Sequence, residues 1–277
     1  MGTRRLNDKV IIVTGSTTGI GKAIATRCAE EGARIVLNGL NREEGEEVLK
    51  ALGPDKAAMH IGDIRDPETP GTLVDIALET FGRLDAVVNN AAMIISSNIH
   101  TSDKELLHQV FDVNAASPFA LIKTALPHLG KKQGCVLNIG SVNAYGGEPD
   151  LLAYSMSKGA LMTMTRNLGD VLFREEGVRV NQINPGWVLT ENEASRKREQ
   201  GLPADWHETI PTVYAPAGRI LRPREIAAAS IYWLSDESGP VSGQVVDLEQ
   251  YPYIGRNAPK DETTLEQPGE SLPAEDN

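Results

Sequence analysis

The chain has 277 residues, 40% hydrophobic but only 5% aromatic, a balance that suits one large α/β domain with an aliphatic core. Its formal net charge of −11 offers no basic face to a phosphate backbone and excludes nucleic acid as a partner; two well-separated cysteines, Cys28 and Cys135, give neither a disulfide framework nor a metal site. No apolar run approaches the ~20 residues of a membrane span, the N-terminus lacks a signal peptide and Leu6 replaces the Ser or Thr of a myristoylation signal, so no membrane partner and a cytoplasmic location are expected.

Along the chain, short aliphatic runs alternate with longer segments of helical spacing. Strands are predicted at 10–14, 34–38, 57–61, 86–89, 134–140, 179–183 and 245–248, and helices at 21–31, 42–52, 68–81, 104–129, 153–176 and 223–233. This alternation belongs to a parallel sheet covered by helices on both faces. The stretch 189–218 mixes charges, aromatics, Pro203, Pro211 and Pro216 without a strand, and a long late insertion of this kind suggests a substrate lid. Residues 1–256 are expected to form a single domain. The remainder, 257–277, carries six acids against Lys260 alone and is expected to be a mobile polar tail.

The first strand runs directly into Thr14-Gly15-Ser16-Thr17-Thr18-Gly19-Ile20-Gly21. A strand, a glycine loop and a helix start can bring backbone N–H groups and the positive helix end against a pyrophosphate, provided no side chain blocks the approach. A glycine-rich turn without a ligand is the plainer alternative. The spacing resembles the T-G-x-x-x-G-x-G loop of the short-chain dehydrogenase/reductase family.

Further motifs of that family follow in order. Asp63 and Ile64 stand after the third strand, Asn89-Asn90-Ala91-Ala92 resembles N-N-A-G with Ala92 in place of glycine, and Asn114 falls in the long predicted helix. Ser141 ends the fifth strand, Tyr154 and Lys158 form Y-x-x-x-K, and Asn184-Pro185-Gly186 precedes Val188 and Thr190. The resemblance implies a single Rossmann-type, doubly wound domain with a seven-stranded parallel sheet. It also implies a homotetramer and a nicotinamide dinucleotide held by Gly15, Thr17, Gly19, Ile20, Gly21, Asn38, Gly39, Leu40, Asp63, Ile64, Asn90, Ala91, Ala92, Tyr154, Lys158, Pro185, Gly186, Val188 and Thr190. In the family the lysine binds the nicotinamide ribose and the asparagine holds a relay water, roles that would pass to Lys158 and Asn114.

The residues also support a mechanism directly. Tyr154 and Lys158, four apart, share a helix face, and a neighbouring ammonium is expected to lower a phenol that otherwise titrates near ~10. Hydride transfer needs an acid/base and a second hydrogen-bond donor at the substrate oxygen, which Tyr154 and Ser141 supply. Taken singly, each of these residues has an ordinary structural explanation; their order after a dinucleotide loop favours the catalytic one.

Just after the second strand, Gly39 occupies the place of a ribose-binding acid and Leu40 that of a phosphate-binding arginine. NAD is therefore expected, as in the 3-hydroxybutyrate dehydrogenases that this stretch resembles, while Arg42 keeps NADP open. Asn143, Trp187, Trp206 and His207, with Tyr145, Glu148, Asn192, Glu193 and Tyr214 nearby in the motif order, suggest a small polar hydroxy or keto substrate such as a sugar or hydroxy acid. The alternatives are an NADPH-dependent 3-oxoacyl thioester reductase and a non-catalytic dinucleotide-binding regulator.

Overall fold

The aliphatic runs pair edge to edge, each strand parallel to its neighbour, in a computed structural model that describes residues 4–252. The strands are β1 (Val10–Val13), β2 (Arg34–Gly39), β3 (Ala57–Ile61), β4 (Ala86–Asn89), β5 (Cys135–Ile139), β6 (Arg179–Pro185) and β7 (Val245–Leu248), ordered β3-β2-β1-β4-β5-β6-β7. The helices between them are α1 (Gly19–Glu30), α2 (Arg42–Leu52), α3 (Thr69–Phe81), α4 (Lys104–Phe111), α5 (Ser117–Gly130), α6 (Asn143–Gly146), α7 (Leu152–Glu176), α8 (Glu191–Glu199) and α9 (Pro223–Leu234). This is the Rossmann-type α/β architecture that the alternation predicts.

Alternate strand residues feed two cores, as the period of two along a strand requires. Ile11, Val13, Ile35, Leu37, Val88 and Leu137 pack with Ile24 and Cys28 of α1, Val48 of α2 and Ile231 of α9. Val10, Ile12, Val36, Val87, Val136 and Val180 pack on the other face with Leu73 of α3, Leu121 and Ile122 of α5, and Leu172 of α7. Burying each such side chain contributes roughly 1.5–3 kcal/mol, which is why runs of four or five residues suffice as strands.

Three local features depart from the sequence reading. The helix expected over 104–129 is interrupted by a π-helical turn at Asp112–Ala116, where the Ser117 amide bonds back to the Asp112 carbonyl. The loop after β5 forms the short α6, which no periodicity announces. The stretch 189–218 contains α8 and a small core of its own, in which Trp206, Ile210, Ala215 and Ile220 pack with Trp187 and Leu189. The tail 257–277 lies outside the described residues.

At the start of the sheet, Asp85 is buried, accepts the Val10 amide at 2.9 Å and receives the Arg83 guanidinium at 2.8 and 2.5 Å. Replacing it leaves the buried Val10 amide without its acceptor, while the partly exposed Arg83 turns to water. Asp85→Ala is expected to lower stability by about 2 kcal/mol, read as a melting temperature lower by roughly 5 °C; an unchanged melting temperature would show that this staple carries no stability.

Candidate active site

The order of strands reverses between β1 and β4, and their C-terminal ends part there, making the crevice where doubly wound sheets bind ligands. Thr14, at the end of β1, spans it: its Oγ1 accepts the Asn90 and Ala91 amides at 3.0 and 3.1 Å. Asn90 returns its Nδ2 to the carbonyls of Thr14 and Gly15, both at 2.9 Å. Gly15 and Gly19 have φ of +59° and +54°, and a Cβ on Gly21 would stand 2.1 Å from the Gly15 carbonyl oxygen. Ile20 lies in the first turn of α1 beside them. Only glycine suits these three positions, and the open backbone at the start of a twelve-residue helix fits the pyrophosphate of a dinucleotide.

The reactive groups converge from β5, the π turn and α7. Asn114, 1% exposed, accepts the Met93 amide at 2.8 Å and donates Nδ2 to the Met93 carbonyl at 3.0 Å and to Ser157 Oγ at 2.9 Å. Ser157 in turn donates to the Tyr154 carbonyl at 2.7 Å. The π turn thus ties the loop after β4 to the helix that carries Tyr154. Ser141 Oγ accepts the Asn143 amide at 3.1 Å, leaving its proton to donate. Lys158 lies in α7 with Nζ 2.7 Å from the Ile139 carbonyl and 5.7 Å from the Tyr154 ring centre.

Burial moves both titrating groups towards neutrality. Tyr154 is pushed up to about 12 by desolvation, with hydrogen bonding from Ser141 pulling the other way. Lys158 is lowered to about 7, also by desolvation. The phenol is thus raised by burial, against the lowering expected from a neighbouring ammonium. Tyr154 keeps its proton at neutral pH and is suited to donate it to an oxygen on which charge develops.

With this geometry in place, three comparisons bear on kinship. A family model described as enoyl-(acyl carrier protein) reductase matches residues 15–249. Glucose 1-dehydrogenase 2 of Bacillus subtilis is 36% identical over 88% of this chain and 94% of its own, and the NADP-dependent (R)-specific alcohol dehydrogenase of Lentilactobacillus kefiri is 31% identical over 87% and 95%. The crystal structure of a short-chain dehydrogenase/reductase from Brucella melitensis, described as a glucose/ribitol dehydrogenase, matches with a TM-score of 0.80 and 28% identity, over 89% of this chain and 97% of that one. The chain belongs to the short-chain dehydrogenase/reductase family.

As an NAD(P)-dependent oxidoreductase of this family, it brings the predicted residues to one edge of the sheet. Gly15, Thr17 and Gly19 follow β1, Asn38 and Gly39 end β2, Asp63 and Ile64 follow β3, and Asn90, Ala91 and Ala92 follow β4. Pro185 ends β6, with Gly186, Val188 and Thr190 beyond it. Not all face the crevice with free groups. Asn38 Nδ2 is engaged by the Gly62 carbonyl at 3.0 Å, and the Asp63 carboxylate is forked by Arg65, which holds it below the usual carboxylate range. Leu40 is exposed, and Thr190 caps α8 by accepting the Glu193 amide at 3.1 Å.

The candidate substrate residues fall into two groups. Asn143 is buried beside Ser141. Trp187 and Trp206 stack at 5.3 Å, His207 packs edge-on to Trp206, and Trp187 Nε1 donates to Glu193, which also receives Arg196. Trp206 is thus a core member of the 189–218 segment, and its Nε1 is buried with no hydrogen-bond partner among the described residues. Two contacts with predicted site residues have no signal in the sequence: Ser157 with Asn114, and Glu44 with Thr17. Ser157 lies inside the Y-x-x-x-K motif, yet its bond to Asn114 crosses 43 residues and leaves no spacing to read.

The lysine makes a pH test possible. Between pH 7 and the ordinary lysine range the unfolded chain holds the Lys158 proton and the folded chain does not, so stability rises with pH there. Above about pH 10 the raised Tyr154 acts in the opposite sense. Relative to Lys158→Met, the native protein is expected to gain up to about 1.4 kcal/mol per pH unit between pH 7 and 9 in denaturant titrations; parallel curves would mean that Lys158 stays charged when buried.

Proposed function

We propose that this protein is a cytoplasmic NAD-linked dehydrogenase of small polar alcohols, a sugar or a hydroxy acid, and that Tyr154, Ser141, Lys158 and Asn114 form its catalytic tetrad. The observation that carries the reading is the convergence of a buried, protonated Tyr154 with the Ser141 hydroxyl beside a glycine loop open to a pyrophosphate. A bound nicotinamide dinucleotide supplies or accepts the hydride. The protein's part is to place two donors at the substrate oxygen, Tyr154 Oη to give or take the proton and Ser141 Oγ to steady the charge. Asn114 holds the helix of Tyr154 in place, and Lys158, lowered to about 7, can carry or release a proton next to it near neutral pH. Two buried cysteines without a bridge accord with a reducing compartment.

The preference for NAD rests on α2. A Cβ on Gly39 would stand 2.4 Å from Thr17 Cγ2, so no acid can occupy that position while Thr17 is there. Thr17 Oγ1 instead donates to Glu44 Oε2 at 3.3 Å, bringing a carboxylate to the ribose end of the crevice from the first turn of α2. Arg42 and Arg65 are each engaged by an acid, Glu46 and Asp63. A ribose hydroxyl pair can donate to Glu44; a 2′-phosphate would be repelled by it. Glu44→Gln is expected to shift the NADH-to-NADPH affinity ratio by about tenfold towards NADPH, one such charge contact being about 1.4 kcal/mol, as measured by nucleotide fluorescence. An unaltered ratio would remove Glu44 from the selectivity.

The polar substrate is supported by Glu193, Arg196 and the Trp187 indole near the site, and by the names of the Bacillus and Brucella proteins. Turnover is tested at 340 nm with NAD against glucose, ribitol, 3-hydroxybutyrate and 2-propanol. Tyr154→Phe is expected to lower kcat by at least a thousandfold while leaving NADH binding intact; activity that survives the substitution would overturn the tetrad. Phe119 of α5 and Met156 and Val171 of α7 are exposed apolar residues on helices that family tetramers bury. Light scattering is expected to give four copies, and a monomer would end that part of the reading.

A further inference from the structure

Beneath Ser141, buried side chains form a hydrogen-bonded row across four strands. Asn89 Nδ2 donates to Asn138 Oδ1 (2.8 Å), Asn138 Nδ2 to Thr165 Oγ1 (2.8 Å), and Thr165 Oγ1 to Gln182 Oε1 (2.8 Å), with the Leu161 carbonyl as the other acceptor in its reach. Gln182 Nε2 then donates to Asn184 Oδ1 (2.6 Å) and Asn184 Nδ2 to Asp247 Oδ1 (3.0 Å). Asn138, Thr165, Gln182 and Asn184 are completely buried. Every side-chain amide in the row donates towards β7.

The carboxylate at its end sets that direction. An ionised aspartate only accepts, so Asn184 must turn its NH2 to Asp247 and its carbonyl oxygen inward. That oxygen accepts the Ser141 amide at 3.1 Å. The fit is close: a Cβ on Gly140 would stand 2.1 Å from Asn184 Oδ1. The same Asp247 oxygen also accepts Tyr145 Oη at 3.1 Å, and Tyr145 lies in α6, whose Asn143 amide donates to Ser141 Oγ. Asp247 therefore reaches Ser141 by two routes, its amide through Asn184 and its hydroxyl through α6.

We propose that Asp247 is a positioning residue that fixes the backbone and hydroxyl direction of Ser141 by dictating the orientation of the Asn184 amide. A reversed Asn184 amide would face Gln182 and the Ser141 amide with like groups, so the acceptor at the end governs Asn184 and, through it, Gln182, as far as the Thr165 hydroxyl, which can turn to Leu161 instead. The inference rests on the catalytic reading above only for its kinetic arm.

The test joins exchange and turnover. In Asp247→Ala, hydrogen exchange of the peptide covering 140–146 is expected to speed up at least tenfold while that of 135–138 is unchanged, a comparison that needs no substrate. With the fastest of the four alcohols named above, kcat is expected to fall about tenfold with NADH affinity held within twofold. Asn184→Asp sets two carboxylates face to face and is expected to lose as much. The double change Asn184→Asp with Asp247→Asn restores a donor opposite an acceptor and is expected to bring kcat within threefold of the native value. Should the Asn184 variants not fold, Tyr145→Phe at the half-buried end is expected to raise exchange at 140–146 about threefold. Native exchange at 140–146 in Asp247→Ala would overturn the inference whatever the turnover. Failure of the double change to improve on Asn184→Asp would overturn it too, whereas a native protein that turns over none of the alcohols would fault the functional reading alone.

Discussion

The site depends on how the ends of β1 and β4 are held apart and yet in register. Two parallel strands that continue to pair leave no room for a ligand, and two that separate freely leave their last amides unpaired. Thr14 resolves this with one hydroxyl, which takes the Asn90 and Ala91 amides while the Asn90 amide group returns to the Thr14 and Gly15 carbonyls. The polar ends of both strands are satisfied within the loops, so the crevice stays open without cost to the sheet. The glycine loop, the π turn and α7 are all placed from this point.

The chemistry follows from burial as much as from proximity. Tyr154 and Lys158 both sit in a region that penalises charge, one rising and the other falling until each is neutral over much of the physiological range. A phenol that holds its proton and an amine that barely holds its own form a pair between which little charge needs to be created before reaction begins. In the mechanism proposed above, charge would then develop on the substrate oxygen, within reach of the two hydroxyls.

Much of this was legible in the sequence, for identifiable reasons. The strands show because each is buried on both faces and reads as an unbroken aliphatic run, and the loop shows because only glycines permit its backbone. The π turn does not show, since one extra residue in a helix changes no composition, and the sequence around Asn114 reads as one continuous helix. Thr17 fills the space beside Gly39 and bonds to Glu44 of α2; the missing acid is visible in the sequence, whereas this contact across 27 residues is not. Asp247, Asn184 and Gln182 read as polar interruptions in two strands, because what joins them is the pairing of β6 with β7, which no local pattern reveals.

The stretch between Gly186 and Arg222 has a further consequence. Its stacked tryptophans and the apolar residues beneath them give it a core separate from the sheet; the bridge of Val188 to Leu221 closes it at its base, and the Trp187 and Ala217 amides tie it to Glu249 and Gln250 after β7. The backbone there is held by its own interior, so the outward side chains of α8, none of them buried, answer to no packing demand. Substitution of those outward side chains leaves both the segment's own core and the sheet beneath it in place, so this is the surface on which the chain can vary most freely.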